Sequence, residues 1–197
     1  EDEHIKLVNN KGVGCKNLNG CRNVRVVLKN LLYRGGNNHP SSFQNPLQLT
    51  TIAELRKLDF DRAIYLYDKN FDSEFPITRL DSLKLTGFNY QSHFSFEEKS
   101  IYNFMFEIKQ SADKQNPKLI YIHCWNGWHQ SGRLSAMVLI QFCNYSVSKA
   151  LKYWEENTDG NSKGYKKVKE SIRKFKPFEE LKFSKEQKDK YCPCKNM

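Results

Sequence analysis

The segment that most constrains the fold is LIYIHCWNGWHQSGRLSAMVLIQF, residues 119–142. A short apolar run ends at His123 and Cys124, and a second apolar run, long enough for a helix, begins at Ser131. A strand that is apolar on both faces is typical of a central strand with helices above and below. The segment therefore predicts a central strand, a short loop and a buried helix.

The rest of the chain alternates strand-like and helix-like patterns, which favours an α/β fold with a central, mostly parallel sheet flanked by helices. We predict strands within residues 24–36, 62–68 and 81–87. Two capping-box patterns, Thr51 to Glu54 and Ser95 to Glu98, predict helix starts. Helices are predicted at residues 51–58, 95–111, 131–142, 146–157, 162–175 and 178–190.

The length of 197 residues suits one main domain. We assign residues 1–30 to a partly looped N-terminal extension, residues 31–178 to the α/β domain, and residues 179–197 to a basic helix with a cysteine-containing tail. No apolar stretch approaches the roughly 18 residues of a membrane helix. The chain opens with charged residues, EDEHIK, so we expect no signal peptide in it.

The net charge of +10 is concentrated at the two ends of the chain. Residues 1–34 hold 7 basic and 3 acidic side chains, and residues 149–190 hold 13 basic and 8 acidic ones. Such ends favour an anionic partner, which could be a phosphorylated ligand, a nucleic acid or a membrane surface. Lysine-rich helices that are simply solvated explain the same charge, and both interpretations stay open.

Four of the six cysteines lie near the termini, at Cys15, Cys21, Cys192 and Cys194. An even set in peripheral segments favours disulfides, with Cys192 and Cys194 bridged to Cys15 and Cys21. Free thiols and a four-thiolate metal site are the alternatives, although the spacing is not a common zinc pattern. Disulfides favour a secreted or periplasmic location, and a cytoplasmic one stays open.

The loop that follows Cys124 has the composition of an anion-binding nest under a nucleophile. Its backbone N–H groups and the helix N-terminus that follows supply partial positive charge. The same field favours the thiolate form of Cys124. Gly127 permits a backbone conformation that a Cβ would oppose. Ser131 can donate a hydrogen bond to the sulfur and help it to leave in a second step.

The motif His123-Cys124-x-x-Gly127-x-x-Gln130-Ser131-Gly132 resembles the signature of the cysteine-dependent tyrosine and dual-specificity phosphatases, in their atypical bacterial or phytase-like branch. The segment LLYRGG, residues 31–36, resembles the segment that opens the fold in that branch. The resemblance implies a phosphatase-like domain that needs no cofactor or metal.

The resemblance also implies roles for individual residues. Cys124 would be the nucleophile that forms a phosphocysteine, and the backbone of residues 125–130 would bind the phosphate. His123 would orient the loop from below rather than touch the substrate. Arg34 would brace the loop through a salt bridge.

Gln130 occupies the position at which the family has an arginine. That arginine binds two phosphate oxygens as a planar fork, whereas glutamine donates one neutral hydrogen bond. Arg133, one helical turn further on, could reach back to the phosphate, or it could form a salt bridge outside the site. His129, if protonated, could supply charge, or it could hydrogen-bond the loop backbone.

The other loop residues are candidates for substrate contact. Trp125 and Trp128, with Asn126 between them, could wall the pocket or stack on a ring-bearing substrate. Packing of both indole rings against neighbouring helices is the alternative.

The general acid of the family, an aspartate about 30 residues before the cysteine, has no counterpart, because the chain has no aspartate between Asp81 and Asp113. His93 lies near the expected position and is our candidate. Alternatively, no residue fills this role. Four other carboxylates could also serve as the general acid: Asp68, Asp72, Glu97 and Glu98.

Three functional hypotheses follow from the sequence. The first is a slow or atypical phosphatase that hydrolyses phosphate monoesters on a phosphorylated protein or a small phosphorylated ligand. The second is an inactive pseudophosphatase that binds phosphorylated ligands, favoured by the loss of both the arginine and the aspartate. The third is an RNA or nucleotide 5′-phosphatase, favoured by the basic ends.

Overall fold

A five-stranded sheet forms the centre of the computed structural model, which describes residues 2–14, 18–38 and 45–193. The strand order is β1-β2-β5-β3-β4, with β1 antiparallel to β2 and all other pairs parallel. The sheet confirms the predicted α/β fold, and β5 is its middle strand, as its sequence indicates. The strands are β1 Cys21–Leu28, β2 Leu32–Asn37, β3 Phe60–Tyr65, β4 Asn89–Gln91 and β5 Leu119–Cys124.

Helices cover both faces of this sheet. They are α1 Leu49–Lys57, α2 Phe71–Glu74, α3 Ile77–Leu85, α4 Glu98–Ala112, α5 Gln130–Cys143, α6 Val147–Glu156, α7 Lys166–Lys174 and α8 Lys185–Tyr191, with a 3-10 turn at Glu179–Leu181. None of the helices in the described ranges is long and apolar enough to cross a membrane.

Strand β5 separates two apolar clusters. Ile120, Ile122 and Cys124 pack into the larger cluster, which includes buried side chains of α4, α5 and α6. Tyr121 packs into the smaller cluster on the opposite face, with buried side chains of α1 and β3. Because both faces are covered, β5 is held rigidly, and its carboxyl end fixes where Cys124 and the loop lie.

Two local predictions are wrong. Residues 81–87, predicted as a strand, form the end of α3 and the turn after it, and the strand β4 was not predicted. Leu80 and Leu83 pack together against the smaller cluster, while Leu85 is 90% exposed. The segment therefore follows the helical spacing of Leu80 and Leu83, which are three residues apart, rather than the strand-like alternation of Leu83 and Leu85.

Neither capping box forms as predicted. Helix α1 begins at Leu49 after Gln48, so Thr51 lies inside the helix and is buried. Helix α4 begins at Glu98, and the Ser95 hydroxyl accepts a hydrogen bond from the Glu97 N–H, before the first turn.

The domain boundaries remain a prediction. The sheet itself includes β1, Cys21–Leu28, and the core includes Phe183 and Tyr191 from the segment near the C-terminus. Residues assigned to the two extensions therefore pack with the α/β domain.

One disulfide joins Cys143, at the end of α5, to Cys192, just after α8. The predicted pairing of Cys192 with Cys15 or Cys21 is wrong, and Cys21 is a buried free thiol. Cys15 and Cys194 lie outside the described residues. The observed partner follows from packing: Phe183 stacks on Phe142 of α5 with ring centroids 4.2 Å apart, which brings α8 to the end of α5.

This disulfide closes a loop of 49 residues in sequence separation. We expect Cys192→Ser to lower the free energy of unfolding by about 2–5 kcal/mol, because the unfolded chain is no longer restricted by the cross-link. Denaturant unfolding with and without a reductant measures this. The reductant should destabilise the wild type and leave Cys192→Ser unchanged, and equal sensitivity of both proteins would contradict the assignment.

Candidate active site

Cys124 is the last residue of the central strand, and it is only 2% exposed. Its sulfur lies 3.3 Å from the hydroxyl of Ser131, a buried residue in the first turn of α5. The strand fixes the cysteine and the helix fixes the serine, so the contact is set by two rigid elements. The Ser131 hydroxyl is close enough to donate a hydrogen bond to a thiolate at Cys124.

The carbonyl groups at the start of the loop are bound by β1 and β2. The Trp125 carbonyl accepts a hydrogen bond from the Asn37 N–H at 2.9 Å. The Asn126 carbonyl accepts one from the Asn23 side-chain amide at 2.7 Å. Asn23 has a φ of +51° at an irregularity in β1, a conformation that asparagine tolerates better than most residues and that redirects its side chain.

The next carbonyl, that of Gly127, accepts a hydrogen bond of 2.6 Å from the guanidinium of Arg34. Arg34 lies on β2, is fully buried, and also donates through Nε to the Tyr153 hydroxyl at 2.8 Å. The predicted brace therefore acts through hydrogen bonds to a carbonyl and a hydroxyl.

Glycine allows the loop to lie directly on β2. A Cβ at Gly36 would lie 2.3 Å from the Trp125 carbonyl oxygen, which no real structure tolerates. Gly127 has a φ of +75°, and a Cβ there would lie 2.6 Å from the backbone of Gly35. Larger residues at these positions would push the loop off the strand and break its carbonyl contacts.

These contacts orient the peptide groups of the loop. In a trans peptide the N–H points opposite to the C=O. The Trp125 and Gly127 carbonyls accept hydrogen bonds from Asn37 and Arg34 of β2, so the N–H groups of Asn126 and Trp128, which belong to the same two peptide groups, face away from β2. Helix α5 then begins at Gln130 and directs the positive end of its dipole toward the loop. The arrangement suits a tetrahedral anion.

Neither a protein-family model nor a curated protein sequence matches this chain. Solved structures do match. The catalytic domain of the PP-IP phosphatase SIW14 from S. cerevisiae, solved with citrate, has a TM-score of 0.54 at 18% identity, over 79% of this chain and 86% of that one.

Two further structures agree. TpbA from P. aeruginosa has a TM-score of 0.53 at 13% identity, over 77% of this chain and 86% of that one. The kinase associated phosphatase KAP, with its catalytic-site cysteine replaced by serine, has a TM-score of 0.51 at 15% identity, over 71% of this chain and 83% of that one. This chain has the fold of the cysteine-dependent phosphatases.

His123 lies beneath the loop of this phosphatase fold and is fully buried. Its Nε2 is 2.9 Å from the Tyr90 hydroxyl, and its Nδ1 is 3.4 Å from the Cys124 carbonyl. The Tyr90 oxygen accepts the Leu47 N–H, so its own proton is free for Nε2, and Nδ1 carries the proton of a neutral ring. Burial lowers the pKa of His123 to about 3, which keeps the ring neutral.

The two residues proposed to replace the missing arginine have other contacts. The Arg133 guanidinium lies 3.7 Å over the ring of Phe96, and burial lowers its pKa to about 10. The His129 Nε2 lies 2.8 Å from the Asn161 carbonyl, and the ring stacks on Tyr165 at 3.6 Å. Burial lowers the pKa of His129, which works against a positive charge at neutral pH. Arg133 thus has a cation–π contact rather than the alternative salt bridge, and His129 bonds a backbone carbonyl of the α6–α7 connection rather than one of its own loop.

Gln130 begins α5 with its side-chain oxygen buried and, across the described residues, without a hydrogen-bond partner. Its side chain carries no charge. The loop after Cys124 therefore has backbone donors and the Ser131 hydroxyl, but position 130 supplies no cation.

A pocket of about 380 Å³ opens above the loop. Trp125, Asn126 and Trp128 line it, and the Trp128 indole N–H donates to Asp159 at 2.9 Å. The remaining lining residues come from the β3 end, from the residue just before α5, and from the α6–α7 connection: Tyr67, His129, Gly160, Asn161, Lys163 and Tyr165.

His93, the candidate general acid, lies on the connection between β4 and α4 with its Nε2 3.0 Å from an Asp72 carboxylate oxygen. It lines a second pocket, together with Asp68 and Tyr67. Tyr67 also lines the pocket above the loop, so the two pockets share this side chain. Glu97 lies at the start of α4, outside both sets of lining residues.

Three residues of the site were not found from sequence. Asn23 and Tyr153 position the loop and Arg34, and Tyr67 joins the two pockets. Burial raises the pKa of Tyr67 to about 12, and the nearby Cys124 contributes to that rise. The only sequence signal was indirect: Asn23 and Tyr67 stand at the ends of strands that meet at the edge where the loop lies.

The buried His123 makes stability depend on pH. Its pKa is about 3 in the fold, so between pH 3 and 6.5 the unfolded chain binds a proton that the native chain does not. Stability therefore falls as pH falls through that window, by about 2 kcal/mol from pH 7 to pH 5 for this residue. Denaturant unfolding at both pH values should show a smaller loss for His123→Asn. An equal loss in both proteins would contradict the neutral, buried ring.

Proposed function

We propose that this chain is a cysteine-dependent phosphatase that hydrolyses phosphate monoesters through a phosphocysteine at Cys124. The observation that carries the proposal is the arrangement at the end of β5. The sulfur lies 3.3 Å from the Ser131 hydroxyl, beneath a loop whose carbonyls are bound elsewhere. The likeness in fold to two named phosphatases supports the same chemistry.

The reaction would proceed in two displacements. The Cys124 thiolate attacks phosphorus, an S–P bond forms, and the ester P–O bond breaks as the leaving oxygen takes a proton from a general acid, for which His93 is our candidate. Water then attacks the phosphocysteine and gives a proton to the general acid that was deprotonated in the first displacement; the P–O bond to water forms, and the S–P bond breaks to release phosphate and the Cys124 thiolate. Ser131 donates its hydroxyl proton as a hydrogen bond to the departing sulfur.

Gln130 sets the expected rate. Phosphoryl transfer depends on positioning and on stabilisation of charge, and loss of a comparable donor costs about 10²–10⁴ in rate. Cys124 is only 2% exposed, so the phosphate has to approach a sulfur that is nearly buried, which also favours slow turnover. We therefore propose a slow enzyme.

The product-release kinetics of an aryl phosphate test this mechanism. The wild type should release the phenol in a burst and retain a phosphoryl group on Cys124 when quenched in acid, and Cys124→Ser should do neither. Cys21→Ser is the matched control, because Cys21 is the other free thiol among the described residues and is buried in the opposite cluster.

If the wild type binds tungstate but releases no phenol, the proposed phosphatase activity is contradicted. The second hypothesis, an inactive pseudophosphatase, would then stand. In that case the chain would be a module that binds phosphorylated ligands without turnover. The neutral Gln130 is the observation that favours this candidate.

His93 as the general acid predicts a dependence on the leaving group. His93→Asn should slow the hydrolysis of an alkyl phosphate by about 10²–10³, because a poor leaving group needs the proton. It should leave the hydrolysis of a nitrophenyl phosphate nearly unchanged, because nitrophenolate leaves without one. Rates for both substrates, with Asp72→Asn as a second variant, measure this. Equal losses on both substrates would contradict the role.

The substrate, on this proposal, is a phosphorylated protein or a small phosphorylated ligand. Lys163 at the rim of the pocket adds positive charge. The SIW14 domain is described as a PP-IP phosphatase, so PP-IP compounds are reasonable first substrates to assay. The Cys143–Cys192 disulfide supports a secreted or periplasmic location.

A further inference from the structure

The loop needs a cation, and three arginines near it are already engaged. Arg34 donates to Gly127 and Tyr153. Arg25 donates to the Asn23 carbonyl at 3.3 Å and lies 3.9 Å from the Asp159 carboxylate. Arg133 lies over Phe96, as described above. The contacts that hold these three guanidinium groups do not direct them at a phosphate above Cys124.

Arg22 differs from them in its position. It lies at the start of β1, where it pairs with Gly36 of β2. Gly36 in turn pairs with Asn126 of the loop through an isolated bridge. Because Gly36 has no side chain, nothing from β2 stands between Arg22 and the loop at this position. One strand spacing, about 4.8 Å, separates the backbone of Arg22 from that of Gly36.

Arg22 also has fewer contacts than these three. A buried guanidinium nitrogen without a hydrogen-bond partner is common to Arg22, Arg34 and Arg133. Arg34 and Arg133 are held by other contacts, whereas within the described ranges the Arg22 guanidinium forms no hydrogen bond, ion pair or ring contact. A half-buried guanidinium without an acceptor is costly, so a ligand is the expected partner. Burial lowers the pKa of Arg22, and electrostatic interaction with Cys124 partly offsets that effect.

We propose that Arg22 replaces the missing signature arginine, by donating N–H groups to the oxygens of a phosphate held by the loop above Cys124. This inference rests on the proposed function. The cation would come from the strand at the sheet edge rather than from the helix. Because Gln130 is neutral, the site would then hold one guanidinium, that of Arg22, rather than two.

A double-mutant cycle between positions 22 and 130 tests the inference. Arg22→Ala should lower kcat/KM for an aryl phosphate by about 10²–10³, because a charged donor to the transferring group is lost. In the Gln130→Arg background, where the helix supplies a guanidinium, Arg22→Ala should cost less than about 10-fold. Arg62→Ala is the matched control, since Arg62 is a half-buried strand arginine paired with Glu107, and it should change nothing.

An equal loss from Arg22→Ala in both backgrounds would overturn the inference, because a purely structural residue is needed whichever cation is present. If the wild type turns over and Arg22→Ala has the same kcat/KM, the inference is overturned as well, while the proposed function stays intact.

Binding of tungstate to Cys124→Ser gives a readout that does not need turnover. Calorimetry should show at least about 10-fold weaker binding when Arg22→Ala is added, and recovery when Gln130→Arg is added too. Unchanged binding on adding Arg22→Ala would overturn the inference. A chain that neither turns over nor binds tungstate would overturn the proposed function, and the inference with it.

Discussion

The hydrogen bond from the buried Arg34 guanidinium to the Gly127 carbonyl is the interaction on which the site depends. It connects β2 to the loop, and its second bond to Tyr153 connects both to α6. A buried cation without acceptors would be severely destabilising, so the loop carbonyl stabilises the arginine as much as the arginine holds the loop. With the carbonyls fixed on one side, the loop N–H groups are available on the other.

Local patterns were sufficient to predict the parts of this fold that are buried. The apolar run before Cys124 identified the central strand, and the long apolar run after Ser131 identified α5. The same reasoning failed where little is buried. Helix α3 has no buried residue, so the alternation of Leu83 and Leu85 was as strong a signal as its helical spacing.

The chemistry of the site was predictable only where it is contiguous in sequence. Cys124, Ser131 and Gly127 belong to one motif, and the fold brings them together. The partners that give the loop its orientation come from elsewhere, because strand pairing and helix packing decide which distant residues meet there. Asn23 is about 100 positions before the loop, and Tyr153 follows it by a helix. Cys192 likewise found Cys143 through the packing of α8, which no spacing of cysteines indicates.

A crystal structure with tungstate tests the central claim most directly. The account predicts a tungstate ion above the Cys124 sulfur, within hydrogen-bond distance of the N–H groups of the loop, with the Arg34 and Gly127 contact unchanged. An empty loop in crystals that carry the ion elsewhere, or loop N–H groups directed away from the sulfur, would contradict it.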